Sequence, residues 1–152
     1  MQHDFFEIGI PTYLTKMENN SDKKEIFNYG SRKGLYVRVN LAVDDMINKP
    51  PYSKSMFKPI PIAVPKFYEM YTGAVGGINP QELKEETFNN IPCLTGGFKA
   101  KMSGIDVYYK LVFASMKSDR AVTIIFIGRE VDHKANETHI NAVLASLRDL
   151  QN

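Results

Sequence analysis

The sequence predicts an α+β fold, an antiparallel sheet flanked by helices in an α/β/α sandwich. Three observations predict it. Stretches of period-two alternation occur near the start and again, three in succession, in the last third. A segment with helical apolar spacing separates those two groups, and a second one closes the chain. Strands joined by short connections pair antiparallel, and helices between and after them are left to cover the sheet.

The first strand is expected over Phe5 to Ile10, with Phe6, Ile8 and Ile10 on one side and Pro11 ending it, because proline cannot donate to a ladder. Glu18 to Lys24 has no periodicity and reads as a loop. Glu25 to Tyr29 is a weaker strand, and Gly30, Ser31 and Gly34 supply a turn. Leu35 to Val43 alternates cleanly. Asn48 to Pro65 carries five prolines and reads as a connector. Val64 to Val75 then places Val64, Phe67, Tyr68, Tyr71, Ala74 and Val75 on one helical face, with Pro65 in the first turn and Gly76-Gly77 as the stop. Asn79-Pro80-Gln81-Glu82 has the residue order of a helix start and predicts a short helix ending near Phe88. Gly97 to Met102, a Ser103-Gly104 turn and Ile105 to Met116 predict a hairpin. Lys117 to Arg120 turns the chain into Ala121 to Gly128, whose near-continuous apolar run is expected to be buried on both faces. A helix beginning near Asp132 or Asn136 and running to Asp149 carries one stripe, Ile140, Val143, Leu144, Leu147 and Leu150.

The 152 residues are expected to form a single domain over 1–152, since domains commonly run about 100–200 residues. A hydrophobic fraction of 43% and a charged fraction of 24% are those of a globular chain, which argues against disorder. Nineteen basic and 17 acidic residues are interspersed and leave a net +2, so nothing implies nucleic acid. No apolar run approaches the ~20 residues that span a bilayer. No signal-peptide pattern follows Met1, which leaves a cytoplasmic or an extracytoplasmic location equally open. The single cysteine, Cys93, cannot form an intramolecular disulfide.

Four segments, in order, carry a family resemblance: FFEIGIPTYLTKM, GLYVRVNLAV, VYYKLVFASMKSDRAVTIIFIGRE and INAVLASLRDL. Together they resemble the Mog1/PsbP-like group, a small α/β/α sandwich, with the early strand ending in proline and Ser146-Leu147 in the last helix as similar details. The resemblance spans nearly the whole chain and includes no catalytic motif. It implies a binding or assembly role, since members of that group are nuclear-transport cofactors, photosystem accessory subunits and envelope lipoproteins. It implies no shared active site. The lipoprotein cysteine near the start is missing here.

Individual residues add little chemistry. Cys93, between Pro92 and Leu94, is better read as a small buried residue than as a nucleophile. His133 and Glu137 share a helical face, with Glu130 nearby, but His139 falls elsewhere and two ligands do not make a zinc site. Asp132-His133 is better explained by capping and solvent exposure. Asp44-Asp45 and Glu85-Glu86 are adjacent pairs whose side chains diverge. Gly73 to Gly77 and Gly96-Gly97 lack the Lys-Ser/Thr of a phosphate loop. No catalytic residue, metal or cofactor is therefore expected.

The segment from Tyr52 to Tyr71 interleaves aromatics with lysines, as interaction surfaces do. Helical spacing accounts for Phe67, Tyr68 and Tyr71 as core. Tyr52, Phe57 and Lys58, with Tyr68 and Tyr71, are the candidate binding residues. The expected function is a non-catalytic binding or accessory domain engaging a protein partner. Two alternatives compete with it. One is a small-molecule binder or small enzyme with a pocket lined by Tyr68, Tyr71, Tyr108 or Tyr109, and the other is a structural subunit of a homo-oligomer.

Overall fold

A computed structural model describes residues 2, 6–17, 26–30, 34–41, 60–116 and 121–150. The strands are β1 (Phe6–Glu7), β2 (Thr15–Met17), β3 (Ile26–Gly30), β4 (Tyr36–Leu41), β5 (Lys84–Phe88), β6 (Ile91–Met102), β7 (Ile105–Ser115), β8 (Ala121–Gly128) and β9 (Arg148–Asp149). The helices are α1 (Ile60–Ala74), α2 (Glu130–Ala135) and α3 (Glu137–Ala145). Strands β2 to β8 form one antiparallel seven-stranded sheet in the order β2-β3-β4-β8-β7-β6-β5. β1 and β9 make a separate two-stranded ribbon, Phe6 opposite Asp149.

Strand β8 lies between β4 and β7, and every residue from Val122 to Gly128 is buried. Its alternation divides the core in two. Val122, Ile124 and Phe126 join Val112, Ala114, Val37 and the inward side of α3, which is Ile140, Val143 and Leu144. Phe6, Ile8 and Leu14, on the chain leading into β2, belong to this same layer. On the other face Ile125 and Ile127 join Phe98, Tyr109, Leu111 and Phe113 beneath Tyr68 of α1, with Phe67 and Tyr71 packed alongside. Helices thus cover both faces of an antiparallel sheet, the α+β sandwich the patterning predicts.

Several elements depart from the sequence expectations: the first strand, expected over Phe5 to Ile10, is confined to Phe6–Glu7, and β6 begins at Ile91 where Gly97 was expected. Residues 84–88 are a strand, not a helix. Lys84–Phe88 pairs with Thr95–Ile91 through a two-residue turn in which Asn89 and Asn90 have φ of 51° and 63°. Asparagine tolerates that left-handed pair, which is the hairpin geometry that suits strand twist, so the Asn-Asn signal marks a turn where a helix end was expected. Helix α1 begins at Ile60, which places Pro65 in its second turn. It ends in a Schellman motif: Gly76 takes φ 67°, Gly77 N–H donates to Thr72 O at 2.8 Å and Gly76 N–H to Gly73 O at 3.3 Å. The terminal helix is interrupted at Asn136 and gives way to β9 at Arg148, leaving Leu150 off the stripe and 37% exposed. The Lys117–Arg120 turn, the connector before α1 and the Glu18–Lys24 loop lie outside the described residues.

Two adjacent glycines let aromatic rings lie flat on β6 from opposite sides. A Cβ on Gly96 would strike the Tyr68 ring, and one on Gly97 would strike the Tyr108 hydroxyl. The Tyr68 hydroxyl donates toward Gly97 O and Gln81 O, each at 2.9 Å, and accepts from Gly97 N–H at 3.0 Å. It closes the gap in the β6 edge between the β5 pairing and the Ile78–Lys99 bridge. Tyr68→Phe is expected to lower stability by about 1–3 kcal/mol, because Gly97 N–H loses a buried partner. Gly96→Ala is expected to cost a similar ~1–3 kcal/mol by overpacking against the same ring. Urea melts of the two variants measure both, and wild-type midpoints would remove the clamp from the account.

Candidate functional site

A cleft of about 650 Å³ lies between the β5–β7 end of the sheet and the helices α2 and α3. Period-two alternation builds one wall. Lys84 and Glu86 stand on the same side of β5, and Tyr108 and Lys110 on the same side of β7, with Thr95 of β6 between them. Helical spacing builds the other wall from His133, Glu137, Ile140 and Asn141. Thr95 and Ile140 are buried, and Tyr108, Lys110 and His133 are half-buried, so these form the floor. Gln81, Glu82, Lys84, Lys134 and Glu137 are exposed at the rim. Three lysines and three glutamates line the space, which leaves it without a dominant sign.

The aromatic part of the floor is held rigidly. The Tyr108 hydroxyl donates to Gln81 Oε1 at 2.9 Å, and the Tyr108 carbonyl lies 2.8 Å from His133 Nε2. A carbonyl only accepts, so Nε2 carries the proton in that bond. The two rings meet edge-to-face with centroids 5.1 Å apart. Burial lowers the His133 pKa, and the Lys110 ammonium lowers it further, outweighing the Tyr108 carbonyl and the carboxylates of Asp132 and Glu130. Burial likewise raises the Tyr108 phenol, helped by Tyr68 and Glu130.

The turn carrying His133 and Lys134 is anchored by Asp132, whose carboxylate is buried. It accepts from Arg129 Nε at 2.8 Å, Arg129 Nη2 at 3.0 Å and the Arg129 backbone N–H at 3.1 Å. Those bonds hold its pKa below the ordinary carboxylate value, with the Arg129 side chain the largest cause. Asn136 then ties the helix break to the N-terminal layer. Its Nδ2 donates to Asp132 O, and its Oδ1 accepts from Tyr13.

The two described candidate binding residues fall elsewhere. Tyr68 and Tyr71 belong to α1 on the opposite face of the sheet. Tyr68 is buried with its hydroxyl committed to Gly97 and Gln81. Tyr71 is half-buried, stacked near Phe67 and edge-on to Tyr109, with burial raising its phenol pKa while Arg38 pulls the other way. Tyr52, Phe57 and Lys58 lie outside the described residues. Of Tyr68, Tyr71, Tyr108 and Tyr109, each offered by the sequence as possible pocket lining, Tyr108 alone lines this one, because its neighbour Tyr109 points through the sheet. Cys93 is buried, its Sγ–H directed to Ile91 O at 3.4 Å, and burial pushes the thiol up to about 11. Glu130 is paired with Lys99 at 3.0 Å, and no group of three or more metal-ligating side chains occurs among the described residues. His133 is half-buried against Tyr108, not solvent-exposed. Lys110, Thr95 and Lys84 are not among the sequence candidates, and Glu86 enters there only beside Glu85, although the alternation of VYYKLVF puts a lysine inside a strand and so signals Lys110.

Two measurements follow from these environments. Iodoacetamide at pH 8 should leave Cys93 unmodified in the folded protein and label it fully in denaturant, because the thiolate is both scarce and covered. The His133 pKa is depressed on folding, so the unfolded chain binds more protons just below pH ~6.5. Stability from this group is complete above that pH and falls as pH drops through the folded value. Thermal melts from pH 8 to pH 5 should show a loss that His133→Gln abolishes.

No known family model matches the chain, and no curated protein sequence matches it. Solved structures do. A Pseudomonas aeruginosa protein of unknown function superposes with a TM-score of 0.63 at 10% identity, over 92% of this chain and 99% of that one. A Bacteroides thetaiotaomicron protein gives 0.61 at 11% identity over 97% of this chain, which spans only 46% of that protein's length. The cyanobacterial PsbP protein of Synechocystis gives 0.59 at 8% identity, over 95% and 86% of the two chains. Such low identities carry the architecture and nothing about activity. The fold of this chain is PsbP-like.

Proposed function

We propose that the chain is a non-catalytic binding domain engaging a protein partner, and that the cleft between β5–β7 and α2–α3 takes a segment of that partner. The observation that carries this reading is the cleft itself, about 650 Å³ with six charged side chains of both signs around it. A volume of that order accommodates a short peptide or a small molecule. Balanced rim charges suit a polypeptide of mixed composition, and they disfavour a polyanion.

The groups that a transfer reaction would recruit are already engaged. The His133 Nε2 proton is on a backbone carbonyl, the Tyr108 hydroxyl is on Gln81, and the Cys93 thiol is buried away from the cleft floor. General acid–base work needs a group free to reach a reacting atom, which argues for recognition over turnover. No described helix is long and apolar enough to cross a membrane. The connector residues Tyr52, Phe57 and Lys58 remain part of the proposal as a second contact.

Immobilised chain, exposed to extract of the cells it comes from, should retain a partner. Inverting the rim with Glu86→Lys and Glu137→Lys should weaken retention by about tenfold, equivalent to ~1.4 kcal/mol. Lys101→Ala, at the far hairpin, should not change it. Tyr52→Ala with Phe57→Ala should weaken retention while leaving the melting temperature near wild type. Retention indifferent to the rim variants would overturn the cleft as the site. A large loss of stability in the connector variant would return its two rings to the core.

A further inference from the structure

Lys110 occupies an unusual place for a lysine. Strand β7 is interior to the sheet, flanked by β8 and β6 along its length. The next two residues on the same side, Val112 and Ala114, are fully buried in the helix-covered core. Lys110 therefore stands where that core gives way to the cleft, half-buried at its floor. Among the described residues its ammonium makes no ion pair or hydrogen bond, whereas Lys84, Lys99 and Lys101 each have a carboxylate within 4.0 Å. His133 lines the same floor, and the Lys110 charge opposes its protonation, so that neighbour does not supply an anion. An ammonium partly removed from water and without an anion is costly, and a floor position restricts how far its stem can carry the head into solvent. A bound anion would supply the missing partner.

We infer that Lys110 anchors a carboxylate-binding subsite at the floor of the cleft, with Thr95 beside it and the rim glutamates restricting the ligand to a single negative charge. The inference rests on the cleft being the binding site proposed above, and it names the chemistry taken there. Glu82, Glu86 and Glu137 surround the same space, so a phosphate or a polyanion would meet three carboxylates on entry. A carboxylate carries one charge and leaves the rim glutamates able to receive an ammonium. Both a free amino acid and the carboxyl terminus of a peptide offer that group.

Isotope-labelled protein titrated with a mixed-sequence pool of N-acetyl tripeptides bearing a free carboxylate tests the inference by NMR. Amide shifts should concentrate at Thr95, Lys110 and Glu137. The same pool as carboxamides should produce none, and inorganic phosphate should bind more weakly than the acid pool. A pool of unacetylated amino acids separates the sources: shifts with it alone identify a free zwitterion, and shifts with the acetylated acids identify a peptide terminus. Lys110→Met, which keeps the stem volume, and Lys110→Gln should each weaken the bound pool at least tenfold, while Lys110→Arg retains it. Equal binding of acid and amide, tighter binding of phosphate, unchanged affinity in both neutral variants, or no binding by any pool overturns the subsite. The two proposals also fail separately. Partner retention that depends on Glu86 and Glu137 but is unchanged by Lys110→Gln would preserve the cleft and discard the carboxylate.

Discussion

The burial of β8 on both faces is the constraint from which the rest of the architecture follows. Val122, Ile124 and Phe126 face one way, Ile125 and Ile127 the other, and none is more than a few per cent exposed. Leaving either face to water would forfeit about 1.5–3 kcal/mol for each such side chain. Two or three of them equal much of the ~5–15 kcal/mol by which a domain is stable at all. A layer is therefore needed on each side, and the chain supplies α1 for one and α2–α3 with the N-terminal segment for the other. The β1–β9 ribbon and the 2.7 Å bond from Gly9 N–H to Ser146 Oγ fasten the two ends of the chain together within that second layer.

The position of the cleft is a consequence of unequal widths. Seven strands at about 4.8 Å spacing make a sheet about 29 Å across, whereas a helix with its side chains is ~10–12 Å wide. Helices α2 and α3 follow one another with only Asn136 between them and supply the helical cover of this face. The residues from Phe6 to Leu14 fill part of the remaining width. At the other side, Asn89 Nδ2 reaches Leu147 O at 2.8 Å and closes only the far end of β5 and β6. What stays open is the stretch over Lys84, Thr95 and Lys110. The Gly96-Gly97 pair keeps its floor thin, because Tyr108 on one face and Tyr68 on the other both lie on bare backbone and both end on Gln81.

Where local pattern and tertiary demand agreed, the structure was legible in the sequence. The β6–β8 meander, the inward face of α1, its glycine stop and the Ile140–Leu144 stripe all express apolar periodicity that packing then rewards. Legibility failed where local propensity was overruled. Lys84-Glu85-Glu86 favours a helix by composition, and Asn79-Pro80 resembles a helix start, yet the segment is recruited to extend the sheet beside Cys93 and Thr95. Strand β2 is three residues, all exposed, with no apolar pattern to betray it. The cleft was hidden for a different reason. Its walls include Lys84, Glu86, Thr95, Tyr108, Lys110 and His133, and no one-dimensional pattern joins them. Alternation alone could have parted Tyr108 from Tyr109, and that separation is what assigns one tyrosine to the cleft and the other to the core.

Alternation along β7 also gives the cleft its chemistry. On the helix-facing side the strand runs Tyr108, Lys110, Val112, Ala114, from hydroxyl to ammonium to hydrocarbon, and the transition coincides with the end of helix coverage. Polar groups at such a boundary are inexpensive only if they keep water or find a partner. Tyr108 finds Gln81 and His133, and His133 is kept neutral by burial and by the neighbouring Lys110. Lys110 differs from both in having a full charge and no described counter-ion. Replacing it with an apolar residue would extend the core by one position and complete the layer. Its place at the floor, beside the core and without a described counter-ion, is why the carboxylate subsite is placed on that residue rather than on the more numerous charges of the rim.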